Sequence, residues 1–372
     1  MGDEKKKTQT RVGETAAPGA AHGAAHGARD LPGVCVESYN LESKDRSADA
    51  QADAFLGDRA SKKAFSRILD DLRARMRDVD VDPLGASPTA QVGKKKLDAA
   101  LAQGEAEQAG LVLAAIEAFA QELAKVIAQF LRSKGWEGCE RIAVGGGLRG
   151  SRVGELAIGR ASVLLKTQGC AVDLTPIAHD PDEAGLIVAA HLTPAWTLAG
   201  YDAFLAVDIG GSNVRVGLVR PRLDAAPDLS QADVWKSRLW RHADEKPGRT
   251  ATVRKIVELA GGLIERAQAE KLKLAPFVGV ACPGLIAPDG SILRGGQNLP
   301  GGNWHSQRFN LPRALAQAMP LIDGRQTFIL MHNDAVVQGL SQTALMGDVG
   351  KWAALTIGTG LGNAAFRNRP PG

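Results

Sequence analysis

Aromatic residues are scarce in this chain: 9 Phe, 6 Trp and 2 Tyr make up 5% of 372 residues. A core must therefore come mainly from aliphatic side chains. The four cysteines, Cys35, Cys139, Cys170 and Cys282, lie far apart, and no Cys-x-x-Cys pair occurs. That spacing argues against a structural zinc cluster and a dense disulfide framework. Reduced thiols and a cytoplasmic setting are the expectation. Neither sign of charge dominates, with 45 Lys plus Arg against 41 Asp plus Glu and a net charge of +4. Nothing electrostatic therefore points to nucleic acid or an anionic membrane as partner. Long apolar runs are missing too. The most hydrophobic stretch, residues 111–131, is interrupted by Glu117, Gln121, Glu122 and Lys125, unlike a membrane span. Lys5, Lys6 and Lys7 are followed by no apolar segment, unlike a secretory signal. What the chain has in excess is glycine, 43 residues without a Gly-X-Y period, which excludes collagen.

Length alone suggests two domains. Residues 1–30 hold almost no large apolar side chain and read as a flexible tail. His22 and His26 within it are four apart, a metal-binding spacing on a helix, but the flanking glycines discourage helix. Phe65, Ile68, Leu69, Leu72 and Met76 then predict a helix, with Ser61 as its cap. Lys94, Lys95 and Lys96 read as a solvated face. Leu113, Ile116, Ala120, Leu123, Ile127 and Phe130 form the apolar stripe of a second helix over about 105–133.

From residue 141 the rhythm becomes strand, glycine turn, helix. Strands are expected at 141–144, 173–177, 204–207, 214–219, 277–281, 328–331 and 352–357, and helices at 153–167, 182–190 and 252–269. The alternation predicts an α/β protein with mixed sheets.

Glycine loops follow four of those strands, at 145–147, 210–211, 284 and 358–360. Glycine lets backbone approach phosphate oxygens closely and aim N–H groups at them. Asp208 precedes the loop at 210–211, and Ser212 and Asn213 follow it. A carboxylate at that place is suited to a Mg²⁺ ion or its waters. The loop lacks the Gly-Lys-Ser/Thr of a Walker A motif, and it returns as a strand, unlike a dinucleotide-binding fingerprint.

Taken together these segments resemble the actin-like sugar kinases, above all the ROK family, with the bacterial glucokinases near by. Asp208-Ile209-Gly210-Gly211-Ser212-Asn213 is similar to the family's first phosphate loop. Gly279 to Ile286 resembles its Gly-x-x-x-Pro-Gly segment, and Gln297 to Trp304 its Asn-Leu-Pro-Gly-Trp sugar loop. His332-Asn333-Asp334-Ala335 resembles Glu-Asn-Asp-Ala, and Leu355 to Gly362 resembles the second phosphate loop.

The order of the halves is unusual. Val34 to Tyr39 resembles the family's Cys-Leu-Glu-Ala-Tyr segment, Arg141 to Gly147 its nucleotide strand and turn, and Asp182 to Ala190 its last helix. In a usual member all three follow the second phosphate loop. Residues 201–372 thus resemble the usual first half, and 31–192 the second, with a connector at 193–200. The resemblance implies a two-lobed, actin-like (RNase H-like) ATPase fold, circularly permuted. A truncated tandem duplication would leave duplicated pieces, and none is found.

By resemblance, Asp334 is the general base that accepts a proton from a sugar hydroxyl as it attacks the γ-phosphate of ATP. Asn298, Asn333 and Glu37 are expected to contact the sugar. Gly210, Gly211, Ser212 and Asn213, with Gly358, Thr359 and Gly360, are expected to line the phosphates, and Gly146 and Gly147 the nucleoside. Asp208 is expected to organise Mg²⁺, and Trp304 to shape the sugar loop. The family's Gly-Glu-x-Gly-His sugar segment and its Cys-rich zinc motif are absent. An ATP-dependent hexose kinase is the leading expectation. A non-catalytic sugar or nucleotide sensor is the alternative, and a homodimer is only what the resemblance suggests. No helical pair precedes residue 60 to support a DNA-binding repressor.

Overall fold

The computed structural model describes residues 25–41, 55–147, 150–177, 181–296 and 299–369, with backbone alone at 181–183. The first half carries strands β1 (Asp30–Leu31), β2 (Val34–Tyr39), β3 (Arg141–Gly146) and β4 (Asp173–Pro176). Its helices are α1 (Lys62–Arg77), α2 (Lys94–Gln103), α3 (Ala106–Leu131), α4 (Arg152–Thr167) and α5 (Pro181–Ile187). The second half opens with β5 (Ala203–Ile209), β6 (Val214–Arg220), β7 (Asp233–Trp240), α6 (His242–Glu245) and α7 (Arg249–Ala269). It continues through β8 (Leu274–Cys282), the short β9 (Leu285–Ile286) and β10 (Ile292–Arg294), and α8 (Leu311–Ala318). It ends with β11 (Leu321–Ile322), β12 (Arg325–Gln326), β13 (Phe328–Asn333), α9 (Asp334–Leu340), β14 (Lys351–Ile357) and β15 (Leu361–Asn368).

Two large sheets share one plan. The first has order β13-β8-β5-β6-β7. Strands β5, β6 and β7 form an antiparallel meander, while β8 runs parallel to β5 and β13 parallel to β8. The second has order β1-β2-β15-β14-β3-β4. Here β14, β15 and β2 form the meander, β3 lies parallel to β14, and β4 parallel to β3. This is the mixed α/β, RNase H-like order that the motifs imply, present twice. In the second sheet, however, the first two strands of the plan come from residues 351–368 and the remainder from residues 30–176.

The sequence explains why these elements form. Strands β3, β5, β8 and β14 are buried along most of their length and read as mainly apolar runs, with polar residues such as Arg141, Asp208 and Lys351 near their ends. Ser61 starts α1 by accepting the Ala64 N–H at 3.2 Å. Helix α3 buries Val112, Phe119, Leu123, Ile127 and Phe130 along one stripe. Three apolar layers result. One lies under α1, α3 and α4 on the outer face of the second sheet, and one under α7 and α8 on the outer face of the first. The third lies between the sheets, where Phe204, Phe277, Trp352 and Phe366 meet α5 and α9. Aliphatic residues dominate all three, as the low aromatic content requires.

Some elements differ from the sequence expectation. The helix expected over 182–190 is α5, followed by a 3₁₀ turn at Val188–Leu192. Strand β7 is an edge strand with patchy burial, so its pattern carries no alternation to read. Residues 25–30, expected in the flexible tail, are packed. The Met331 N–H donates to His26 Nδ1 and the Gly27 N–H donates to the Met331 carbonyl, both at 3.0 Å. This segment adds to the open edge of β13, which satisfies backbone groups that an edge strand leaves unpaired. His22 lies outside the described residues.

Candidate active site

The ends of the two sheets face one another across a cleft of about 350 Å³. The glycine loops meet there. Gly210, Gly211, Ser212 and Asn213 arrive on the β5–β6 hairpin, and Gly358, Thr359 and Gly360 on the β14–β15 hairpin. Gly146 and Gly147 arrive at the end of β3. Each loop is closed by backbone hydrogen bonds: Gly210 N–H to Asn213 O at 2.8 Å, Gly358 N–H to Gly360 O at 2.9 Å, and Gly147 N–H to Ile357 O at 3.0 Å. The hydroxyls of Ser212 and Thr359 stand 3.2 Å apart, so the two hairpin loops touch. Gly146 has φ +95°, and a Cβ there would come within 2.6 Å of the Ile357 amide nitrogen. Only glycine fits that position.

Asp208 and Asp334 line the same cleft. Asp208 lies near the end of β5. Asp334 opens α9 directly after β13, with β8 between the two strands. The Asp334 carboxyl is pushed up to about 6. Crowding by protein is the main cause, the negative charge of Asp208 adds to it, and the Ala335 N–H opposes it. That value suits a general base working near neutral pH. Helix α5 closes on Asp208 from behind, and a Cβ at Gly185 would stand 2.6 Å from Asp208 Oδ2. Among the described residues, no group of three or more His, Cys, Asp or Glu side chains is arranged to hold a metal by itself.

Asn333 is buried and occupied by structural work. Its Oδ1 accepts the Ala335 and Val336 N–H groups at the start of α9, and its Nδ2 donates to the Gly284 carbonyl at 2.9 Å. It therefore aims Asp334 and fixes the Gly284 turn. Glu37 does not line the cleft. It sits on β2, which pairs with β15, and its carboxylate is bound by the Arg367 guanidinium, which holds the carboxyl below its usual range. A sugar contact from Glu37, which the likeness of residues 34–39 to the Cys-Leu-Glu-Ala-Tyr segment implies, would compete with this ion pair. Asn298 lies outside the described residues. Trp304 is buried, donates to the Pro300 carbonyl at 3.1 Å and packs edge-on against Phe309, which holds the shape of its loop.

Other residues enter the site without a motif to announce them. His242 hydrogen-bonds the Gly210 carbonyl through Nε2 at 2.9 Å, supporting the first loop from outside it. Thr356 donates to Gln338 Oε1 at 2.9 Å, and Arg215, Lys62, Asn40 and Asn363 also line the cleft. Arg215 could have been anticipated, because the β5–β6 hairpin pairs it directly with Asp208. Lys94, expected on a solvated face, donates to the Gly147 carbonyl at 2.7 Å.

No protein-family model matches the chain. A 158-residue stretch is 28% identical to a glucokinase of Thermotoga maritima and covers 42% of each chain. The chain is a distant relative of a bacterial glucokinase. It spans less than half the length of that glucokinase. Two solved structures overlap it in part. A candidate sugar kinase from Cytophaga hutchinsonii is 21% identical, covers 45% of this chain and 48% of its own, and has a TM-score of 0.33. A candidate N-acetylmannosamine kinase from Listeria monocytogenes is 22% identical, with coverages of 45% and 47% and a TM-score of 0.30. The relationship to a glucokinase agrees with the sugar-kinase motifs. No helix of the described residues is long and apolar enough to cross a membrane.

Proposed function

We propose that this glucokinase relative is an ATP-dependent hexose kinase with Asp334 as general base. The observation that carries the reading is the convergence of Asp334, Asp208 and three glycine loops on one cleft, from segments in both halves of the chain. Gly146 passes the nucleoside with bare backbone, and the two hairpin loops offer N–H groups and hydroxyls to phosphates. Two carboxylates without a third ligand among the described residues fit Mg²⁺ held largely through the nucleotide's phosphates, with Asp208 as its protein anchor. A bound Mg²⁺–ATP would supply the phosphoryl group and neutralise its charge. Asp334 would orient the sugar hydroxyl and take up its proton. An ADP-release screen over glucose, mannose, fructose and the N-acetyl sugars tests this. Turnover of at least one is expected. Binding without any turnover would instead favour the sensor alternative.

We infer further that the chain carries the two halves of a sugar kinase in exchanged order, with 31–192 before 201–372. The shared plan of the two sheets supports this, because the second is assembled from strands at opposite ends of the sequence. A rearranged chain that joins 201–372 to 25–192 through a flexible linker is expected to fold and bind ATP. Failure with linkers of every length would exclude the permutation.

A further inference from the structure

At the end of β2 the chain enters the cleft through Asn40, whose backbone is left-handed with φ 49°. Among residues with a side chain, Asn adopts that conformation most readily. The turn is clamped by Asn363 on β15, which is 3% exposed. The Asn40 N–H donates to the Asn363 carbonyl at 2.9 Å. The Leu41 N–H donates to Asn363 Oδ1 at 2.8 Å, and Asn363 Nδ2 donates to the Leu41 carbonyl at 3.4 Å.

The clamp aims the Asn40 carboxamide across the cleft at the other sheet's loops. A Cβ at Gly295 would stand 2.6 Å from Asn40 Nδ2 and 2.9 Å from the Gly284 Cα. Gly284 is in turn bound by Asn333, the residue before Asp334, through the 2.9 Å bond described above. Gly295 therefore lies between Asn40 and the Gly284 turn, which Asn333 holds beside the proposed base. A carboxamide offers donors and an acceptor together, the pattern that matches adjacent sugar hydroxyls.

We propose that Asn40 is a substrate-recognition residue that hydrogen-bonds hydroxyls of the sugar from the lobe opposite Asp334, and that Asn363 positions it. The inference rests on the hexose-kinase reading and assigns a specificity determinant within it. Asn40→Gly separates this role from a merely structural one. Glycine accepts the left-handed backbone without strain, so the turn survives while the carboxamide is lost.

The experiment titrates glucose, mannose, 2-deoxyglucose and N-acetylglucosamine, and separately ATP, into the full chain and its variants, with thermal melts alongside. Asn40→Gly is expected to fold, as its cooperative melt will show, and to bind ATP unchanged. It should lose about 10-fold or more in sugar affinity and flatten the ratios among the sugars. Asn40→Asp keeps the backbone preference and shape but removes the donor, and is expected to reorder the sugar preference, which also decides the matter should the glycine variant fail to fold. Sugar affinity and preference within about 2-fold of wild type in a folded variant would overturn the assignment while leaving the kinase reading intact. A wild type that binds none of the sugars would overturn both.

Discussion

Ser212 and Thr359, 147 residues apart in sequence, bring their hydroxyls to 3.2 Å at the centre of the cleft. One belongs to the hairpin of the first sheet and the other to the equivalent hairpin of the second. Their contact joins the two sheets at the place where the proposed kinase reading puts the phosphates.

Removing either hydroxyl should therefore weaken nucleotide binding more than sugar binding. Ser212→Ala or Thr359→Val is expected to raise the KM for ATP by about 3- to 10-fold, the scale of one lost hydrogen bond. The sugar KM should stay within about 2-fold. Steady-state kinetics with each substrate varied in turn checks the split.

Asp334→Asn should lower kcat by about 100-fold or more while sugar affinity is largely retained, because a general base contributes on that scale. Wild-type kcat/KM should fall as pH drops through about 6, where the raised Asp334 carboxyl takes up a proton. The same shift predicts stability. The fold favours the protonated form, so that contribution is present below the ordinary aspartate value of 3.8 and is lost as pH rises through about 6. At pH 7 to 8 the Asn variant, without bound nucleotide, should therefore melt above the wild type by up to about 3 kcal/mol in stability. The gap should close near pH 4. Thermal melts across that range measure it.

Gly185→Ala tests whether α5 holds Asp208 in place. The new methyl would press on the Asp208 carboxylate at 2.6 Å. The expected result is a raised Mg²⁺ requirement and a kcat lowered by about 10-fold or more, with sugar affinity unchanged and a modest loss of stability. A magnesium titration of activity reads this directly.

His332 stands where the resembled motif has Glu, and its neighbours explain how an imidazole fits. Its Nδ1 accepts the Asn333 N–H at 2.7 Å, and its Nε2 bonds the Ala28 carbonyl at 3.0 Å. Burial pushes its pKa down to about 4, so it is neutral at pH 7. A depressed histidine contributes stability above its ordinary value of 6.5, and that contribution is lost as pH falls towards 4. The wild type should lose up to about 3 kcal/mol over that window from this group, and His332→Gln should lose correspondingly less. Denaturant midpoints of the two proteins at pH 7 and pH 4.5 provide the comparison.

Most strands and helices were legible because each has a local signature. Buried parallel strands read as apolar runs, and α3 shows its stripe at helical spacing. The glycine loops were legible for the same reason, since close backbone approach leaves a local mark, whereas Asp334 was singled out only by the likeness of residues 332–335 to the family motif. The roles of Glu37, Asn333 and Asn40 were not legible, because they depend on partners far away in sequence. Arg367 claims the Glu37 carboxylate, the α9 amides claim Asn333, and Asn363 turns Asn40 inward.

The sequence by itself determined the element types and the glycine turns. Those follow from short-range periodicity and backbone sterics. Only the tertiary structure decided which side chains share the cleft and how Asp334 is tuned. It also decided that residues 25–30 close a sheet edge and do not trail as a tail. These depend on desolvation and on hydrogen bonds between segments hundreds of residues apart, and no local pattern encodes them.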